Sequence, residues 1–103
     1  MADRPVLMGA LLEDACLTLE QVCGACAVTP DWVSSHVLEG RLRLPGDQPS
    51  QWRFGSRDLW RVRELRRLEV TFDAEPELAA LVADLLEELE SLRAQLRRQV
   101  WME

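Results

Sequence analysis

Cys23, Cys26 and His36 are the residues whose types and spacing could support metal or redox chemistry. The two cysteines form a C-x-x-C pair, and the single histidine follows ten residues later. A zinc site would need a fourth ligand and a loop that turns both thiols to one point, and a redox pair would need a helix start after a strand. Both cysteines instead share a helical face with Leu19 and Val22. We therefore interpret them as small buried thiols and expect no metal and no cofactor, with a zinc or redox module as the alternative.

His36 has no catalytic neighbours in the sequence. No nucleophile with an orienting carboxylate is recognisable beside it, and the chain has no Gly-rich phosphate loop or metal-binding helix pattern. We expect no catalytic residues and a protein that is not an enzyme. The sequence favours a partly exposed helix histidine, with contact to a partner as the second interpretation.

The composition is that of a small acidic domain. The chain has 103 residues and a net charge of −6, and all twelve of its basic residues are arginines. Acidic proteins are repelled by nucleic acid and by anionic membranes. No targeting signal and no run as long as a membrane span is evident, and three cysteines are an odd number for a secreted disulfide framework. We expect a cytoplasmic protein without membrane contact.

Residues 18–40 have the pattern of two short helices joined by a tight turn. Thr18 can cap helix one, with Gln21 completing a capping box. Thr29 and Pro30 suit the start of helix two, and Gly40 suits its end. This is a helix-turn-helix layout, in which the second helix normally enters the major groove of DNA.

Helix two carries the wrong charge for that role. It contains no lysine or arginine between Pro30 and Glu39, whereas DNA binding depends on cations at the interface. The layout therefore favours a protein partner. We predict partner contacts, from charge and expected placement, at Glu20, Asp31, Trp32, His36, Glu39 and Asp58. For Trp32, burial in the core is as well supported as a role as an anchor.

The segments that follow predict a wing and a third helix. Arg41–Leu44 and Gln51–Phe54 have the pattern of two β-hairpin arms around a turn rich in Pro, Gly and Asp. Ser56 is the expected cap of a helix over residues 57–69, whose apolar stripe is Leu59, Val62, Leu65 and Leu68. Trp52 and Trp60 are expected in the core, and the apolar run over residues 6–12 predicts an N-terminal strand.

A long last helix is predicted over residues 74–101, with Asp73 as its cap. Apolar residues alternate along it in steps of four and three, the pattern of a coiled-coil seam. We predict that this seam forms a homodimer, parallel or antiparallel, through Leu78, Val82, Leu85, Leu89, Leu92 and Leu96. The chain thus divides into a domain over residues 1–72 and a dimerisation helix over residues 73–103.

Positive charge is concentrated in residues 53–67, which hold six arginines and two acids, and residues 73–90 hold seven acids and no arginine. The helix-three arginines could bind phosphates or pair with that acidic stretch, and the second interpretation is favoured. The alternative function, a DNA-binding regulator, would use Arg41, Arg43, Arg53, Arg57 and Arg61. We expect only weak, non-specific DNA binding.

The chain resembles the CbpM family of chaperone modulators, which are similar to MerR-type winged-helix domains. The likeness covers roughly residues 15–98 and depends on the order and spacing of five segments, residues 17–23, 37–40, 52–54, 61–66 and 85–96. The segment through Ala15 and the stretch Thr71–Glu77 depart from the family pattern. The resemblance implies a non-catalytic homodimer that binds the J-domain of a DnaJ-like (CbpA) co-chaperone and blocks its stimulation of a DnaK-type ATPase. The expected fold is a mostly α, MerR-like winged helix-turn-helix with a small β-hairpin wing and a long C-terminal helix.

Overall fold

The computed structural model describes residues 16–102, with side chains over residues 16–100. This part of the chain is mostly helical, as predicted, and the N-terminal strand predicted over residues 6–12 lies outside it. The elements are α1 (Leu19–Cys26), α2 (Pro30–Leu38), a 3₁₀ turn (Pro49–Gln51), α3 (Ser56–Phe72) and α4 (Pro76–Met102).

The helix-turn-helix forms through the predicted caps. Thr18 Oγ1 accepts the Gln21 amide at 3.3 Å, and Gln21 Oε1 accepts the Thr18 amide at 2.9 Å. Thr29 Oγ1 accepts the Trp32 amide at 3.1 Å and starts α2. Ala27 turns the chain out of α1 in the left-handed region, with φ of 56°, and Gly40 takes φ of 77° after α2.

The structure does not confirm the β-hairpin wing. Residues 41–55 contain no strand, and Phe54 pairs instead with Leu17 in an isolated antiparallel bridge. The Phe54 amide donates to Leu17 O at 2.8 Å, and the Leu17 amide donates to Phe54 O at 3.0 Å. The partner of the predicted second arm therefore comes from the segment before α1.

Local chemistry explains why the two arms do not pair. Pro45 and Pro49 lie in the connection between the predicted arms, and Pro49 begins a 3₁₀ turn that extends to Gln51, the first residue of the second arm. Gln51 Oε1 closes the loop instead, accepting the amides of Asp47 at 2.8 Å and Gln48 at 3.3 Å. The segment is a compact loop held by side-chain hydrogen bonds.

Both ends of α3 differ from the prediction. Ser56 is the first helical residue, and Asp58 Oδ2 caps the start by accepting the Gly55 amide at 3.0 Å. The helix continues to Phe72, where Asp73 in the left-handed region, with φ of 53°, ends it. Asp73 thus terminates α3, and α4 begins only at Pro76.

The core lies where α1, α2 and the loop meet α3. The predicted α3 stripe of Leu59, Val62, Leu65 and Leu68 is buried, together with Val22, Val33, Leu42, Trp52 and Phe54. Trp52 is in the core, as predicted. Trp60 is only half-buried and borders a cleft of about 580 Å³ between α3 and α4.

Three alanines attach α4 to this core. Ala79, Ala80 and Ala83 are buried against the rest of the chain, and their small side chains let the two helix axes approach closely. The leucines of the predicted seam lie on another side of α4 and are exposed. None of the helices in the described part of the chain is long and apolar enough to cross a bilayer.

Candidate functional site

The outward side of α2 presents a leucine with carboxylates. Asp31, Ser35 and Leu38 follow at intervals of four and three residues and are all exposed, and Glu39 follows directly. Leu38 is 85% exposed, the highest value among the large apolar side chains of residues 16–100. We call these four residues the α2 docking face. Asp31 and Glu39 are among the contact residues predicted from the sequence, and Leu38 is not.

The inward side of α2 carries His36, and the expectation of a partly exposed histidine is wrong. His36 is 2% exposed, so its side chain lies beyond direct reach of a partner. Val33, one turn earlier, is completely buried. The ring faces the core side of the helix because residues 33 and 36 share the face opposite the α2 docking face.

His36 is held from two sides. Arg41 Nε donates to His36 Nδ1 at 2.8 Å, and His36 Nε2 lies 2.9 Å from Glu69 Oε2. That oxygen is shielded from solvent and has no hydrogen-bond partner beyond this close approach. Because Nδ1 accepts from Arg41, a neutral ring carries its proton on Nε2, facing the carboxylate.

Burial lowers the pKa of His36 below its usual 6.5, and Arg41 and Arg61 act in the same direction. Glu69 opposes this shift through its charge and its hydrogen bond, but desolvation is the largest cause. His36 is therefore neutral at pH 7, in agreement with the hydrogen bond that it accepts from Arg41.

Trp32 belongs to the same cluster. Its indole Nε1 donates to Glu69 Oε1 at 3.1 Å, and its ring centre lies 4.2 Å from that of His36. The side chain is half-buried and packs against the core. Glu69 thus binds two α2 side chains at once, and Trp32 helps to fix α2 on α3.

Glu20 and Asp58 lie outside the α2 docking face. Glu20 is exposed in the first turn of α1. Asp58 is half-buried, caps α3, and borders a cleft of about 440 Å³ that also includes Gly40, Arg43 and Arg57. Of the six predicted contact residues, the structure places only Asp31 and Glu39 on one exposed helix side.

Three of the arginines that a DNA reader would use, Arg41, Arg53 and Arg61, make internal contacts. Arg61 donates through Nε to Arg41 O at 2.6 Å, and its NH1 lies 2.7 Å from Glu87 and 2.8 Å from Asp84. This contact confirms, for Arg61, the predicted pairing of helix three with the acidic stretch. Arg41 is held by His36, as described above.

Other arginines divide between internal contacts and solvent. Arg66 Nε donates to Ala27 O at 3.1 Å and so holds the turn between α1 and α2. Arg67 pairs with Glu64 at 2.8 Å. Arg53 is exposed, but its NH1 donates to Ser50 O at 3.1 Å and to Trp52 O at 2.7 Å. The side chains of Arg43, Arg57 and Arg63 are also exposed.

The cysteines have the environment of structural thiols. Cys26 is buried, Cys23 is half-buried, and both are free. Desolvation raises the pKa of both thiols, which disfavours the reactive thiolate. Within residues 16–100, no three His, Cys, Asp or Glu side chains come together in a way that could hold a metal ion.

The predicted seam of α4 is exposed along most of its length. Its five leucines are between 42% and 61% exposed, Leu78, Leu85, Leu89, Leu92 and Leu96. Val82 instead packs in part against the core of its own domain. A contiguous row of exposed leucines is typical of a surface that another helix covers.

Comparisons with known proteins agree with this architecture. The model of the family described as MerR HTH family regulatory protein matches residues 17–99. The chain is 30% identical over 79 residues to a protein of Pseudomonas entomophila (strain L48) named chaperone modulatory protein CbpM. That match covers 77% of this chain and 78% of the relative. No solved structure matches the chain.

Proposed function

We propose a chaperone-modulating function for this chain, which belongs to the MerR HTH family of regulatory proteins and is a CbpM-type member of it. It acts without catalysis, in the cytoplasm, by binding the J-domain of a DnaJ-like co-chaperone through the α2 docking face. Occupation of the J-domain then prevents stimulation of the DnaK-type chaperone. The name of the Pseudomonas relative supports the chaperone-related part of this proposal.

The exposed leucine with its two carboxylates carries the proposal. Leu38 can enter an apolar pocket of a partner, and Asp31 and Glu39 can pair with cations at the rim of the contact. Buried apolar anchors with a charged rim are typical of specific protein interfaces. The complementary surface is a basic helix with an apolar groove, because carboxylates speed the approach of a cationic partner and exclude an anionic one.

The same features disfavour the DNA-binding alternative. The exposed side of α2 lacks a cation, and Arg41 and Arg61 are engaged inside the fold. A specific DNA complex that neutralises several phosphates loses affinity steeply as salt is raised. Titration of duplex DNA into the protein at low and at physiological salt tests this alternative, and tight, salt-dependent binding would support it.

We further propose that the α4 seam joins two copies of the chain. The row of leucines spans three heptads and points away from the domain that Ala79, Ala80 and Ala83 contact. A second α4 would remove these side chains from water, and each fully buried leucine contributes about 1.5–3 kcal/mol. The homodimer would present two α2 docking faces.

A charge reversal tests the docking surface. The double variant Asp31→Arg, Glu39→Arg should abolish J-domain binding in a calorimetric titration with the purified J-domain of the host's DnaJ-like protein. The thermal midpoint should stay nearly unchanged, because both side chains are exposed and a first-turn acid contributes only about 0.3–1 kcal/mol.

The matched control is Asp47→Arg, Glu77→Arg. It makes the same change in net charge at two exposed acids, and Glu77 lies in the first turn of α4 as Asp31 does in α2. The control should bind like the wild type. Unchanged binding by the α2 double variant would refute the site, and equal loss in both variants would indicate attraction by bulk charge alone.

A further inference from the structure

The end of α2 that carries Leu38 and Glu39 is closed by His36. The main-chain oxygen of His36 accepts the amides of Arg41 at 2.8 Å and Leu42 at 3.2 Å. Its ring accepts Arg41 Nε at 2.8 Å. Arg41 is therefore bound to the same residue through its backbone and through its side chain, and both contacts lie at the turn between residues 38 and 42.

We infer that His36, Arg41 and Glu69 form a proton-sensitive lock behind the α2 docking face, in which protonation of His36 displaces Arg41 and loosens the turn after α2. This inference deepens the proposed function and, in its effect on docking, rests on it. The lock itself is a property of the free chain and is tested without a partner.

Protonation of His36 turns the favourable contact between its Nδ1 and Arg41 Nε into a repulsive one. The proton taken from solvent goes to Nδ1, which then carries an N–H directed at the Arg41 Nε–H at 2.8 Å. Two donors and two positive charges then face each other, so the Arg41 side chain must leave. The other contact survives, because Nε2–H still faces the Glu69 carboxylate at 2.9 Å and now carries charge.

The charges around the ring act in opposite directions on its pKa. Glu69 and Arg61 face His36 from α3, and Arg41 faces it from the turn after α2. Burial and the two arginines favour the neutral ring, whereas Glu69 favours the charged one. The displaced Arg41 would enter solvent two residues from Glu39, where its cation weakens the attraction of the α2 docking face for a basic partner.

Proton NMR of the full chain measures the lock directly. His36 is the single histidine, so one imidazole Cε1–H resonance reports its protonation. We expect a midpoint below 6.5, with the amide resonances of residues 38–42 shifting at the same midpoint. Titration of the ring without any change in these amides would overturn the inference.

Two variants separate the lock from a histidine that only packs. Arg41→Met should raise the imidazole midpoint, because the cation that opposes protonation is removed and Glu69 remains. Arg43→Met, at an exposed arginine two residues further on, should leave it unchanged. Equal midpoints in Arg41→Met and the wild type would contradict the inference.

Titration of the purified J-domain at pH 7.5 and at a pH below the imidazole midpoint found by NMR tests the effect on docking. We expect the affinity of the wild type to fall about tenfold at the lower pH, within the usual range of coupling between sites, and that of His36→Gln to fall less than about twofold, because its side chain is neutral at both pH values. The same loss in both proteins would refute control of docking by the lock. Absence of binding at pH 7.5 would refute the proposed function, and the NMR titration would still decide the lock.

Discussion

Replacement of Glu69 by alanine should destabilise the fold far more than its position near the surface suggests. The side chain is 19% exposed and accepts from Trp32 Nε1 at 3.1 Å while facing His36 Nε2 at 2.9 Å. Alanine leaves both donors without an acceptor. An unsatisfied buried donor costs about 1–3 kcal/mol of stability. The cost for the Trp32 donor lies at the low end of this range, because the side chain is half-buried and water can reach it.

The expected loss in the free energy of unfolding is therefore about 2–4 kcal/mol. In a domain of this size, 1 kcal/mol lowers the thermal midpoint by about 4–8 °C. Urea unfolding followed by circular dichroism, at one fixed protein concentration, measures the difference. Glu69→Gln, which keeps one acceptor oxygen, should lose less than Glu69→Ala.

Glu64 provides the matched control on the same helix. Its side chain is also 19% exposed, but its partner Arg67 is 46% exposed and three residues away. Such helical pairs contribute about 0.2–0.5 kcal/mol, so Glu64→Ala should cost no more than that. Equal losses in the Glu64 and Glu69 variants would refute the reasoning that Glu69 fixes α2 on α3.

Two further predictions concern pH and assembly. The free energy of unfolding should fall as pH falls below about 6.5, the ordinary pKa of histidine. The unfolded chain binds a proton on His36 in this range, whereas the folded chain does not, because folding lowers the pKa of His36. In urea unfolding between pH 7 and pH 5, His36→Gln should remove this pH dependence. Leu89→Glu places a charge in the α4 seam and should convert dimers to monomers in analytical ultracentrifugation. The control Gln95→Glu, at an exposed position off the seam, should leave the dimer intact. A monomeric wild type would contradict the proposed dimer.

Local residue chemistry predicted the helix-turn-helix well. Thr18 and Gln21 formed the expected capping box, and Thr29 with Pro30 started α2 as predicted. Caps act over three or four residues, so they are readable from sequence. The start of α3 was misjudged by one residue, because the Asp58 carboxylate caps Gly55 and the Ser56 side chain does not act as the cap.

Contacts between residues far apart in the sequence explain why the predictions of the hairpin and of an exposed His36 were wrong. Phe54 pairs with Leu17, which no local pattern indicates, and the two predicted arms do not pair with each other. His36 is buried because its ring meets Glu69, 33 residues further along the chain. Sequence periodicity placed His36 on α2 but could not show which side of the helix meets α3.

The candidate site was predicted in part. The acidic character of α2 followed directly from the absence of arginine and lysine between residues 30 and 39. Leu38 was missed because the contact residues were predicted from charge and expected placement, and Leu38 is an uncharged residue. Its spacing of seven residues from Asp31 was the available indication that the two share the solvent side.

The most direct test of the central claim is a map of the contact on the isotope-labelled chain. Titration with the unlabelled J-domain should shift or broaden the amide resonances of Asp31, Ser35, Leu38 and Glu39 more than any others among residues 16–102, at a saturating stoichiometry of one J-domain per chain. Changes confined to the exposed arginines Arg43, Arg53 and Arg57, or the absence of any change, would contradict the claim that the outward side of α2 receives a basic protein partner.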